Sequence, residues 1–290
     1  MKLAKDIFLL SCTPLSIFYP IPLIQLFIFA LSGNREIGDL INTILFTFPF
    51  FAAVNLFNHV NDIEEDLLAG KNNIFSDKKI RNLGLIIVLV LYSSSILFYF
   101  SIKSEYIIYP IITLIFTWLY SDKIVFGRYI KRLKEHYITE VLTYTVTAVT
   151  FALSIWFIVS DFNVRAYCAV AVVLFINLWT VFLKDLKDVS SDKLAGLYTM
   201  AVKFSPETLY TASTVILIAL YLSIFLFSMN NILPRPAILV SFVGFFPATV
   251  LIKLVKSEWD FASVHKYIRI IPQINILSLV FLTVIIALKF

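Results

Sequence analysis

The sequence predicts an all-α integral membrane protein of about nine transmembrane helices with its N-terminus in the cytoplasm, and three observations lead there. Of 290 residues 60% are hydrophobic and 15% charged, with 28 Phe against 7 Gly. A soluble domain of this length cannot bury that much apolar surface, so lipid must cover the rest. The apolar residues fall into nine runs, most near the roughly 20 residues that cross a hydrocarbon core. The basic residues gather between alternate runs, as topology requires.

In chain order the runs are 7–31, 38–57, 83–102, 106–120, 137–159, 166–183, 208–228, 236–254 and 270–288. The first follows Lys2 and Lys5, but it is too long for a signal peptide and no small-residue cleavage site follows, so it reads as a true span. The fourth is short, yet its edges are marked by Lys103 and Glu105 before it and Asp122 and Lys123 after it. Pro14, Pro20, Pro22, Pro49, Pro110, Pro247 and Pro272 fall inside runs and predict kinks that membrane helices tolerate. With the N-terminus inside, 19 of the 24 Lys and Arg lie on the cytoplasmic side; only Arg35, Lys103, Arg165, Arg235 and Lys289 lie opposite. The net charge of +5 is therefore a topology signal and implies no nucleic-acid partner. Cys12 and Cys168 sit within spans without metal-ligand spacing and read as buried thiols. No linker breaks the chain, so residues 1–290 read as one membrane domain.

An internal repeat carries the chemistry. Residues 62–70 read DIEEDLLAG and residues 188–196 read DVSSDKLAG, with five identities in nine positions, and each copy ends an apolar run and opens a cytoplasmic loop. Residues four apart share a helix face, so Asn58, Asp62 and Asp66 point together, and Asp188 and Asp192 do the same with Asp185 alongside. Like charges at that spacing repel unless something positive lies between them. Carboxylate oxygens select Mg²⁺ or Ca²⁺, and Mg²⁺ commonly completes its shell with phosphate oxygens. Paired copies in two halves of a membrane protein suggest two clusters facing one central cavity. The arrangement points to a magnesium-bridged diphosphate, and ionisable groups this close to hydrocarbon are functional by default.

Asn58, Asp62 and Asp66, in the pattern NxxxDxxxD, resemble the first aspartate-rich motif of the UbiA superfamily of intramembrane prenyltransferases. Residues 184–204, KDLKDVSSDKLAGLYTMAVKF, resemble its second, KDxxDxxGDxxxGxxT. The nine-span organisation matches along essentially the whole chain. The resemblance implies a ring of nine helices around a cavity open to the cytoplasm. In it Mg²⁺ binds the diphosphate of a polyprenyl donor, and the allylic cation left by diphosphate departure is attacked by a lipophilic acceptor. It assigns Asn58, Asp62, Asp66, Asp185, Asp188 and Asp192 to metal and diphosphate binding, with Lys184 as the basic residue before the second motif. The loop 121–136 stands where the family carries a YxxxK-type or YSxxPxRLK-type segment whose lysine assists diphosphate departure, which makes Tyr120, Lys123 and Arg128 candidates. His59 replaces a frequent Asp, Ser191 replaces a frequent Gly, and the loop lacks the family's proline.

A transporter is the rival class, but no span carries a central charge. A CDP-alcohol phosphotransferase would need a DxxDGxxAR segment, which is absent. A terpene cyclase of the same superfamily fits the motifs equally well. Family acceptors include quinone precursors, glycerol-phosphate lipids, porphyrin-derived pigments and carotenoids, with a quinone precursor or a lipid favoured here.

Overall fold

The computed structural model describes residues 2–13, 20–70, 72–127, 129–186 and 189–288, and its regular structure is helical. The first helices are α1 (Lys2–Ser11), α2 (Ile21–Ser32), α3 (Ile37–Asn61) and the short α4 (Ile63–Leu68). Then come α5 (Lys78–Lys103), α6 (Ile108–Ser121), α7 (Tyr137–Val159) and α8 (Val164–Val181). Two short helices follow, α9 (Val189–Leu194) and α10 (Met200–Lys203), before α11 (Pro206–Met229), α12 (Ile238–Ser241), α13 (Phe245–Lys256) and α14 (Phe261–Leu288). Seven helical stretches among the described residues are long and apolar enough to cross a membrane, and α2 and α6 are shorter apolar helices.

The prolines account for most departures from the expected spans. The run 7–31 is divided between α1 and α2, with Pro20 and Pro22 at the start of α2 and Pro14 outside the described residues. Pro110 and Pro247 likewise lie in the first turns of α6 and α13. Proline has no N–H to give and a helix-compatible φ, so it starts helices readily. Among the described residues, Pro49 in α3 and Pro272 in α14 are the prolines that sit deep within helices. Several starts are also capped: Asp77 Oδ1 accepts from Lys79 N at 2.7 Å to open α5, and Asn163 Oδ1 accepts from Arg165 N at 2.9 Å to open α8.

Helix α3 packs on α5, α6 on α7, α7 on α8 and α8 on α11; α11 meets α13, α13 meets α14, and α14 returns to α2 beside α3 and α7. The helices thus close into a ring. Phe46, Phe50, Phe57, Tyr99 and Trp156 are buried, whereas Phe8, Leu45, Ile86, Leu97 and Phe281 face outward. Polar contacts tie helices where lipid offers no hydrophobic drive for association. Ser95 Oγ donates to Phe46 O at 2.6 Å, and Tyr221 OH donates to Asn275 Oδ1 at 2.6 Å. Two adjoining cavities are lined chiefly by α2, α3, α6, α7 and α8, together with the segments that leave α3, α6 and α8.

Candidate active site

The two copies of the acidic repeat fold alike. Helix α3 breaks at Asp62 (φ −91°, ψ 26°) and α4 continues beyond it. Helical hydrogen bonding persists through the break, from Asp62 N to Asn58 O at 2.9 Å and from Asp66 N to Asp62 O at 2.9 Å. The shared LAG tail is a helix stop. Gly70 and Gly196 have φ of 70° and 71°, the left-handed conformation in which glycine ends a helix without a Cβ penalty. Each donates its N–H three residues back, Gly70 to Leu67 O at 3.0 Å and Gly196 to Lys193 O at 3.1 Å. The two short helices, α4 and α9, pack against each other.

That packing brings both motifs to one cavity of about 280 Å³. Asn58, Asp62, Glu65 and Asp66 line it from the first copy, and Lys184, Asp185, Ser191 and Asp192 from the second; Tyr120, Lys134, Glu140, Tyr144 and Thr199 complete most of the wall. Asp188 and Arg128 lie outside the described residues. Lys123 is not among the lining residues: its ammonium is held by Glu64 Oε2 at 2.7 Å and Glu65 Oε1 at 3.0 Å. The lysine that reaches the cavity is Lys134, whose Nζ donates to Asp62 Oδ1.

Buried Arg132 ties the loop after α6 to the first motif. Its Nη2 donates to Glu65 Oε1 at 2.5 Å, its Nη1 to Asp62 Oδ1 at 3.3 Å and its Nε to Glu135 Oε1 at 2.7 Å. Burial pushes the Glu65 carboxyl up, but Arg132, through hydrogen bond and charge, and Lys123 outweigh it and hold the pKa at about 2. Arg132 is itself held above the ordinary arginine value, its carboxylate partners outweighing burial. For Lys134 the balance reverses: burial outweighs the attraction of Asp62 and lowers its pKa. Asp66 Oδ2 accepts from Asn73 Nδ2 at 2.8 Å and lies 3.9 Å from His59 Nδ1.

On the second side, Lys184 Nζ lies 2.7 Å from Glu140 Oε1 and 3.1 Å from Asp185 Oδ2, and donates to Tyr120 OH at 3.1 Å. Tyr120 OH in turn donates to Glu140 Oε1 at 3.2 Å. Burial acts to lower the Lys184 pKa, and the surrounding tyrosines and carboxylates outweigh it and raise it well above the ordinary lysine value. Thr199 Oγ1 donates to Asp192 Oδ2 at 3.1 Å. Backbone pairing, Tyr137 N to Tyr198 O and Tyr198 N to Glu135 O, both 2.9 Å, joins this segment to the loop after α6.

A second cavity of about 320 Å³ adjoins the first and shares Asn58, Tyr120 and Tyr144 with it. Ile21, Ile24, Phe50, Phe51, Val54, Phe151 and Ile176 give it an apolar wall. A charged compartment thus opens onto an apolar one.

A model of the UbiA prenyltransferase family matches residues 19–271. The chain belongs to this family. It is a multi-pass membrane prenyltransferase. An uncharacterised protein from Archaeoglobus fulgidus is 37% identical over 261 residues, covering 88% of this chain and 89% of the relative. Among solved structures, one concerning the biosynthesis of digeranylgeranylglyceryl phosphate synthase in membranes aligns with a TM-score of 0.73 at 18% identity, covering 98% of this chain and 99% of that one. A UbiA homologue from Archaeoglobus fulgidus bound to DMAPP and Mg²⁺ aligns with a TM-score of 0.61 at 15% identity, covering 100% and 97%. These two likenesses concern the fold.

In this UbiA chain, sequence reasoning passed over Lys134, Arg132, Glu65 and Glu140. A signal for the first two was present: Arg132, Leu133 and Lys134 spell the RLK that closes the YSxxPxRLK-type segment, and Tyr120 and Ser121 spell its opening YS, with a longer spacing between them. Glu65 and Glu140 had no motif to mark them. The donor set suits a hard divalent cation. Asp62, Glu65, Asp66, Glu140, Asp185 and Asp192 put six carboxylates around a cavity whose described lining holds two cations, Lys134 and Lys184, with Arg132 and Lys123 outside it against Asp62 and Glu65, and Glu140 Oε2 is buried without a hydrogen-bond partner among the described residues. Asn58 Oδ1 accepts from Ser121 Oγ and keeps a second lone pair.

Proposed function

We propose that the chain is a Mg²⁺-dependent prenyltransferase that moves an isoprenyl group from a polyprenyl diphosphate to a lipophilic acceptor, a lipid or a quinone precursor, and releases diphosphate. The observation that carries this reading is the junction of the two cavities: both acidic motifs line the charged one, and it meets the apolar one at Asn58, Tyr120 and Tyr144. A prenyl diphosphate has that same division, an anionic head on an apolar chain. The family membership and the DMAPP-bound, Mg²⁺-bound homologue support the same donor.

Asn58, Asp62, Asp66, Asp185, Asp188 and Asp192 are the residues proposed to hold Mg²⁺, which supplies charge stabilisation on the departing diphosphate. Lys134 and Lys184 line the same wall and stabilise the phosphate oxygens as negative charge develops there. Tyr120 and Tyr144 offer ring faces at the junction, where the allylic carbon becomes cationic. The acceptor attacks that carbon from the apolar chamber, the carbon–oxygen bond to diphosphate breaks, and the walls keep water from taking the acceptor's place. Lys123, held by Glu64 and Glu65, would act on this machinery only through Glu65. The concentration of basic residues in the loops at this end supports an opening on the cytoplasmic side of the cell membrane.

The test is diphosphate release by the purified protein with geranylgeranyl diphosphate, with and without Mg²⁺, across lipid and aromatic acceptors. Release that needs Mg²⁺ and accelerates with one acceptor class is expected. Release indifferent to every acceptor would replace this reading with a terpene cyclase, and no release or binding with any donor would refute it.

A further inference from the structure

The apolar chamber carries a polar stripe that the donor does not need. Thr143 and Thr147 stand one turn apart on α7, Asn177 and Thr180 line the chamber from α8 packed beside it, and Asn55 adds an amide from α3. The hydroxyl protons are already committed. Thr143 Oγ1 donates to Thr139 O, Thr147 Oγ1 to Thr143 O and Thr180 Oγ1 to Asn177 O, each at 2.7 Å. A hydroxyl has one proton and two lone pairs, so toward the chamber these three groups can only accept. Asn55 Nδ2 donates to Ser11 O at 3.1 Å and Asn177 Nδ2 to Val173 O at 2.9 Å, which fixes the orientation of each amide. Both carbonyl oxygens remain as acceptors, and each amide keeps one N–H. Among the described residues no charged side chain lines this chamber.

We infer that this stripe selects an aliphatic alcohol as the acceptor and holds its hydroxyl for O-prenylation. The inference rests on the prenyltransferase reading above and names the substrate class. This stripe presents five acceptor oxygens and two N–H groups, and it is satisfied by a ligand that gives hydrogen bonds as well as taking them, which an alcohol does. A quinone carbonyl only accepts, so it offers no donor to these threonine lone pairs. An aromatic acid brings a carboxylate into a chamber without a cation. In the step itself, the alcohol oxygen forms its bond to C1 of the prenyl group as the bond from C1 to the diphosphate oxygen breaks. The diphosphate leaves with that electron pair and takes up the hydroxyl proton.

The experiment uses the full-length protein in lipid nanodiscs with geranylgeranyl diphosphate and Mg²⁺. The acceptor probes are a glycerol monoether bearing one isoprenoid chain, its phosphate ester, and 4-hydroxybenzoate. Either glycerol probe should be O-prenylated with kcat/KM at least about 100-fold above 4-hydroxybenzoate, well within the discrimination of about 10⁴-fold that hydrogen-bonding sites reach. The preferred one of the two shows whether a headgroup phosphate is also bound. The double variant T147V/T180V keeps shape and removes two acceptor oxygens. It should raise the alcohol KM about tenfold or more while donor affinity, read by Mg²⁺-dependent displacement of labelled donor, stays within twofold. A C-prenylated aromatic product, an unchanged alcohol KM, or loss of donor affinity in the variant equal to its loss of alcohol affinity would overturn the inference. Donor binding without transfer to either alcohol would overturn it alone, whereas absence of donor binding in the unmodified protein would overturn the prenyltransferase reading as well.

Discussion

In the first acidic copy, Asp62 and Glu65 face three cations from the loop after α6: Lys134, buried Arg132, and Lys123 at the rim. In the second, Asp192 takes a hydrogen bond from Thr199, and Asp185 shares Lys184 with Glu140. Among the described residues the backbones match from α4 and α9 down to the glycine stop, yet the electrostatic settings do not. Duplicated sequence preserved the way carboxylates are presented to the cavity, while a single loop made the first copy a structural joint as well. The first copy should therefore be needed for both stability and activity, and the second chiefly for activity.

Removing a carboxylate from each side is the strongest way to break that comparison. D62A and D192A should each lower Mg²⁺-dependent transfer on the order of 10²–10³-fold, the scale of a lost transition-state contact. Only D62A should also lower the melting temperature, because it leaves Lys134 and Arg132 short of a partner. Equal melting of the two variants would show the copies to be equivalent.

The two loop lysines sharpen the contrast within the first copy. K134M should reduce kcat/KM by about 10²-fold, since its ammonium lines the cavity proposed to hold the diphosphate. K123M should change it less than about threefold, because its ion pair with exposed Glu64 is of the kind worth about 0–1 kcal/mol. Steady-state kinetics with varied donor separates the two, and a larger loss for K123M would return the assisting role to that residue.

R132M should destabilise the fold by about 1–3 kcal/mol, read as a lower denaturation midpoint, because it leaves the part-buried carboxylates of Glu65 and Glu135 without their guanidinium. The pH dependence follows in sign. Glu65 is lowered from 4.5 to about 2, so its folded form binds fewer protons than the unfolded chain. Its contribution to stability is complete above pH 4.5 and is lost as pH falls toward 2. In R132M that acid limb should flatten, and an unchanged limb would place the cause elsewhere. Smallest of all, G70A and G196A should each cost about 1–2 kcal/mol of local stability, since both glycines hold positive φ. Hydrogen exchange at the ends of α4 and α9 would measure it, and unequal losses would mark the copy whose stop matters more.

Much of this was legible in the chain. The membrane class followed from apolar runs, and the meeting of Asn58, Asp62, Asp66, Asp185 and Asp192 at one cavity is the arrangement the repeat suggested. The division of the first run was harder to see, because hydropathy ignores that Pro20 and Pro22 start a helix as easily as they bend one. That Lys134 lines the cavity while Lys123 does not was harder still. Both stand in one basic loop, and what separates them is a turn in which Asp122 accepts from the backbone N–H groups of Ile124, Val125 and Phe126 at 2.7–2.9 Å. Such a turn directs side chains in ways that spacing along the sequence does not encode. Glu140 was hidden for a related reason, since its partners Tyr120 and Lys184 arrive from other helix ends.

The clasp around the first copy also orders the biogenesis of the protein. Arg132 follows Asp62 by 70 residues and Lys134 follows it by 72. While the ribosome is still making α5 and α6, the carboxylates at the end of α3 have no cationic partner from that loop and must wait in water. Charge is costly in hydrocarbon, so these carboxylates favour keeping the end of α3 at the aqueous surface until the loop emerges, and chain order alone then limits how deeply the helix is threaded.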